Sequence, residues 1–152
     1  MAGDTHDFEY YRDADAHYFV NGGGGAYLSI GTSMNWPVRP DVSQFAFYPR
    51  TDAVTAKLDA QTPLWKWPAW WWVKRVGAWP FSPEALSAVF DFNRAPFFQS
   101  LVEVRVERSA GRVVFALLGV NGPLTWADLQ TGDLPDSAVA RDRPVEIVVP
   151  LP

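Results

Sequence analysis

The chain contains no cysteine. Disulfides, cysteine-ligated zinc and thiol nucleophiles are excluded together, and a reducing compartment is compatible. Histidine is scarce: His6 and His17 are the two, both near the start. Basic residues are outnumbered 13 to 17, giving a formal net charge of −4. A nucleic-acid surface calls for a basic stripe, so no nucleic-acid partner is expected. No run approaches the roughly 18 apolar residues of a membrane-spanning helix. The first residues, "MAGDTHDFEYYRD", are acidic and polar, unlike a signal peptide. A cytoplasmic or peripheral-membrane location is therefore expected. There is no internal repeat and no low-complexity tail.

What is present is an ordinary globular balance, 48% hydrophobic and 20% charged over 152 residues. That suggests one domain, 1–152, whole or partial, long enough to bury a core. The clearest strand signal is "SLVEVRVER", where Val102, Val104 and Val106 alternate with Glu103, Arg105 and Glu107. That period of two predicts a half-buried strand. "SAG" (109–111) supplies a turn, and the nearly continuous apolar "RVVFALLGV" (112–120) predicts a buried return strand. Residues 100–120 thus form a β-hairpin, ended by "NGP" (121–123).

Shorter strands are expected at "AHYFV" (16–20), "AYLSI" (26–30) and "RPVEIVVP" (143–150), the last limited by Pro144 and Pro150. Residues 32–50, broken by Pro37, Pro40 and Pro49, read as irregular. "TDAVTAKLDA" (51–60) reads as a short helix capped by Thr51 or Asp52. "SPEALSAVFDF" (82–92) has a helix start, with Ser82 at the N-cap and Pro83 at the first position. "LTWADLQ" reads as a single helical turn. The expected class is α+β, mainly β, with two or three short helices.

Chemistry concentrates at the start. His6 and His17 stand among Asp4, Asp7, Glu9, Asp13 and Asp15. Imidazole with carboxylate suits a divalent metal, although charge runs are usually solvated surface. Four consecutive glycines, Gly22, Gly23, Gly24 and Gly25, mark positive φ or a close backbone approach. A P-loop would need Gly-Lys-Ser/Thr opening a helix; Ala26-Tyr27-Leu28 follows instead. Ser29, His17 and Asp41 make a triad on paper, without a Gly-x-Ser-x-Gly elbow.

The order of these residues is more telling. "AGDTHDFEYYR" followed by "HYFVNGGGGAYLSIGT" resembles the closing metal motif of the calcineurin-like metallophosphoesterases. That motif is commonly Gly-His-x-His, Gly-Asp-x-His in some branches, with a strand and a glycine-rich turn after it. The resemblance rests on residues 2–31, an active-site segment, and is weak beyond. It implies that the chain supplies C-terminal strands and short helices to a metallophosphoesterase-type β-sandwich. His6 would be a metal ligand. Asp4 would bind metal, position the attacking water or orient His6. Gly3 would let the chain turn into the site, and Gly22 to Gly25 would let a backbone pass close to the pocket. His17 matches no ligand and reads as structural or surface.

A two-metal centre needs more donors than one histidine and one aspartate. No Gly-Asn-His occurs here, and no histidine follows residue 17. The apolar strand that would deliver Gly3 to the site is missing too. The resemblance therefore implies a C-terminal fragment of a metal-dependent phosphoesterase, inactive alone. Its partners would be the missing N-terminal half and a phosphate-ester substrate, and its cofactors divalent ions (Mn, Fe or Zn) in the complete enzyme.

Six of eight tryptophans lie in a Trp-rich segment, 61–81, and five of them crowd residues 65–72. Trp65, Trp67, Trp70, Trp71 and Trp72 beside Lys66, Lys74 and Arg75 fit three roles. They pack over the sandwich or against the missing half, they contact a membrane interface through Trp65–Trp72, or they stack on a ligand. Packing is favoured, given the area each tryptophan buries. The alternative to a phosphoesterase fragment is thus a non-catalytic β-sandwich binding module with an aromatic surface.

Overall fold

The computed structural model of the protein describes residues 7–22, 42–76, 99–134 and 141–151. These residues are mostly β: two antiparallel four-stranded sheets with a few short helices. The α+β, mainly β class expected from the alternation is what is found.

The first sheet has the order β2-β1-β3-β7, with β1 Phe8–Asp13, β2 Ala16–Asn21, β3 Gln44–Tyr48 and β7 Gln130–Gly132. Register explains its core face. Phe8 pairs with Tyr48, and Tyr10 pairs with Ala46 on one side and Phe19 on the other. All five are buried. The opposite face of β3 carries Phe45 and Phe47, which are buried as well. This strand is thus covered on both sides.

The second sheet is the expected hairpin with two additions. Strands β4 Ser100–Glu107 and β5 Arg112–Gly119 pair along their whole length. A 3-10 turn at Arg108–Ala110 and Gly111 at φ 61° reverse the chain. That φ is why glycine stands there. The short strand β6 Gly122–Pro123 and the last strand β8 Glu146–Pro150 both pair with β5. The faces meet across a core of Phe8, Tyr10, Phe19, Leu117 and Ile147, closed by Trp126, Leu129, Leu134 and Val145. Phe19 stacks on Phe115 with ring centroids 4.1 Å apart.

Between the sheets in sequence lie α1 Thr51–Gln61, a 3-10 turn at Leu64–Lys66 and α2 Trp67–Val76. They bury Val54, Leu58, Trp70 and Val73. The helices are tied by one carboxylate. Asp59 accepts from the Trp70 indole N–H at 2.7 Å and from Lys74 Nζ at 2.6 Å.

Several expectations are corrected. The acidic opening contains strand β1, and the proline-broken stretch 32–50 contains β3. Neither Thr51 nor Asp52 caps α1: the N-cap is Arg50, which makes no side-chain cap bond. Val104 and Val106 are exposed rather than half-buried. They belong to β4, which among the described residues is an end strand of its sheet. "NGP" does not merely end the hairpin, since Gly122 and Pro123 pair back onto β5. The expected strand 26–30 and helix 82–92 lie outside the described residues.

Candidate functional site

Strand β1 places the opening motif. Its core face starts at Phe8, so the chain must arrive through Asp7, a carboxylate with 2% of its surface exposed. Such burial is rare for aspartate. Nearby, burial pushes the Tyr11 hydroxyl above its usual range, helped by Glu9 and then Asp7. The other end of the hairpin closes on the same point. Phe8 pairs with Asn21, and the Gly22 N–H donates to the Asp7 carbonyl at 3.1 Å. The residue after His6 and the first residue of the glycine run are thus joined by a backbone hydrogen bond. The chain therefore enters β1 and leaves β2 at this one end of the first sheet. Asn21 Oδ1 is buried here with no hydrogen-bond partner among the described residues.

The same end holds a cleft of about 530 Å³. Phe8 pairs with Tyr48, and Tyr48 lines the cleft with Pro49, Arg50, Asp52, Asn121 and Asp128. The Tyr48–Pro49 peptide is cis. Arg50 donates through Nε to Asp52 Oδ1 at 2.8 Å, through Nη2 to Oδ2, and through Nη1 to the Ala127 carbonyl at 2.6 Å. The guanidinium holds the Asp52 carboxyl below its ordinary range. Asp128 accepts from the Thr125 backbone N–H and hydroxyl, each at 2.8 Å. This capping box fixes the turn Trp126–Asp128. The cleft walls are therefore held rigidly by their own charged groups.

Among the described residues no three His, Asp or Glu side chains gather into a metal-binding group. Asp52 and Asp128 are committed to Arg50 and Thr125, and do not by themselves fit a two-ion centre. Asp4, His6 and Gly23 to Gly25 lie outside the described residues. Of the predicted site residues, Gly22 is placed, and it is placed beside Asp7.

His17 sits away from this end. It pairs with Arg12 near the β1–β2 turn, four residues from Asn21, roughly 13 Å along the strand. Its Nδ1 shares a 3.0 Å hydrogen bond with the Tyr10 hydroxyl. Burial, then the charge of Arg12, lowers its pKa below 6.5. A neutral ring bound to a core tyrosine fits the structural role expected of it.

Sequence reasoning missed Arg50, Asp52 and Asp128. Their signal is faint: an arginine directly after Tyr-Pro, and Thr-x-x-Asp at 125–128. The second is a capping pattern and was legible. Comparison with known proteins adds no relative: no family model, no curated protein and no solved structure matches this chain.

Proposed function

We propose that this chain is the C-terminal part of a metal-dependent phosphoesterase, to which it contributes Asp4 and His6 as metal donors. The observation that supports this is the bond between Gly22 and Asp7. It ties the two halves of the motif, Gly-Asp-Thr-His and the glycine run, to one end of one hairpin beside a cleft. A closing metal motif followed by a strand and a close-approach loop is compatible with this arrangement.

In such an enzyme divalent ions supply Lewis acidity and lower the pKa of a bound water. His6 serves as a ligand through a neutral imidazole nitrogen. Its other ring N–H needs an acceptor, and the neighbouring carboxylates Asp4 and Asp7 supply candidates. Asp7 is anchored through its carbonyl, which accepts from the Gly22 N–H, and its carboxylate would be the one offered to that ring. The remaining donors come from the N-terminal half, and the chain alone is inactive.

The test is elemental analysis of the longer protein purified from cells. Bound Mn, Fe or Zn is expected, and His6→Ala should lower it. A longer protein without any of the three overturns the reading. The chain alone should not hydrolyse p-nitrophenyl phosphate, and turnover that survives removal of contaminating phosphatase would contradict that. The exposed tryptophans of the helical segment favour a second reading, a non-catalytic module with an aromatic binding surface. Metal content separates the two.

A further inference from the structure

We infer that the segment Leu64–Arg75 is a docking surface for an anionic membrane interface. The inference is independent of the phosphoesterase reading.

The helical segment has two unlike sides. Trp70 and Val73, three residues apart, face inward and are buried. Around them Leu64 is 87% exposed, Trp65 76% and Trp71 53%, with Trp67 and Trp72 near 40%. Scattered exposed hydrophobics are normal, but a contiguous group of four tryptophans and a leucine marks an interaction surface. The group is held firmly, because Asp59 pins Trp70 and Lys74 together.

Charge identifies the partner. Residues 61–81 contain Lys66, Lys74 and Arg75 and no acidic residue, within a chain of net charge −4. Lys74 is paired with Asp59 of α1, and the cations offered to lipid are Lys66 and Arg75. The cations lie against the rings: Lys66 is 4.9 Å from the Trp65 centroid, Arg75 6.0 Å from Trp71, and Lys74 5.2 Å from Trp67. Tryptophan favours the headgroup level of a bilayer, and lysine and arginine are drawn to anionic lipid there. Amphipathic helices that lie on a membrane combine these two features. Helix α2 has 10 residues, about 15 Å, which is half of a hydrocarbon core of about 30 Å. It therefore lies on the surface and does not cross. A second copy is a poorer occupant, because a two-fold contact sets the same surface against itself and Lys66 and Arg75 would face like charges.

The test is flotation of the 152-residue chain with phosphatidylcholine vesicles, with and without phosphatidylserine. Binding is expected with phosphatidylserine, weaker without it, and reduced by salt. Lys66→Gln and Arg75→Gln should each weaken it about fivefold. Trp65→Ser with Trp71→Ser should abolish it, and both positions are exposed, so circular dichroism should be unchanged. Lack of flotation with phosphatidylserine vesicles overturns the inference. So does equal binding by the tryptophan double variant. Self-association in sedimentation that the same double variant abolishes also overturns it, in favour of a second copy.

Discussion

Two aromatic regions of this molecule are treated in opposite ways. The first sheet sinks Phe8, Tyr10, Phe19, Phe45, Phe47 and Tyr48 out of water, while the helical segment leaves Trp65, Trp67, Trp71 and Trp72 in it. Composition does not separate them, since both are rich in large apolar rings. Geometry does. A strand with neighbours on both sides and cover on both faces has no solvent side, so every ring of β3 is enclosed. A helix on the outside of a fold turns one stripe inward, and α2 has only Trp70 and Val73 on that stripe. The lesson is that aromatic density predicts burial only after the period and the place in the sheet are known.

The sharpest way to break the comparison is within the helix itself. Trp70→Ala should cost about 3–5 kcal/mol of unfolding free energy, as for a large buried side chain. Trp71→Ala, one residue on, should stay within about 0.5 kcal/mol. Urea unfolding of the two variants measures the difference, and equal losses would mean that the exposed ring is structural. A middle-sized effect is expected in the sheet. A Cβ at Gly132 would sit 2.2 Å from Phe45 Cε1 and 2.8 Å from Cδ1. The ring is buried and cannot yield freely, so Gly132→Ala should cost about 1–3 kcal/mol through overpacking. Unfolding that matches wild type would show that the Phe45 ring has room.

The smallest effects are in pH, and they fall in separate windows for the two regions. Lys74, then the Trp70 N–H, lowers the Asp59 pKa below the ordinary 3.8. Its stabilisation is present above that value and lost as pH falls through the lowered one. His17, kept neutral, loses stability as pH falls below 6.5, the value of the unfolded chain. Melting scans should show Asp59→Asn flattening the acid limb and His17→Gln flattening the slope just below 6.5. A slope unchanged by either substitution would remove that group from the account.

Much of the second sheet was legible, because Val102, Val104 and Val106 alternate with charges and Ser-Ala-Gly breaks the run. The same alternation cannot say what covers a strand, so the exposure of Val104 and Val106 was not visible. Strand β1 was hidden by its acidic residues, although Phe8 and Tyr10 already stood two apart. Strand β3 was hidden by Pro49, which lies one residue past its end and so does not interrupt it. At the candidate site, Asp4, His6 and the glycine run were marked by their resemblance to a closing metallophosphoesterase motif. The pairing that joins Asp7 to Gly22 is a contact between residues 15 apart in sequence, and no local pattern records it. Arg50 and Asp52 form their cleft wall with a partner at 127, again beyond local reading.

Strand β4 has a further consequence for how the chain behaves in concentrated salt. Among the described residues it pairs with β5 alone, and an edge strand presents unpaired backbone groups on its outer side. Along it the bare valines alternate with Glu103, Arg105 and Glu107. These charges are paired within the sheet, Arg105 with Glu146 and Glu103, and Glu107 with Arg112. Exposed pairs of this kind are screened over about 8 Å at physiological ionic strength and more tightly at 1 M salt. Concentrated salt thus weakens the charged pairs that alternate with Val104 and Val106 and leaves the exposed valines as they are.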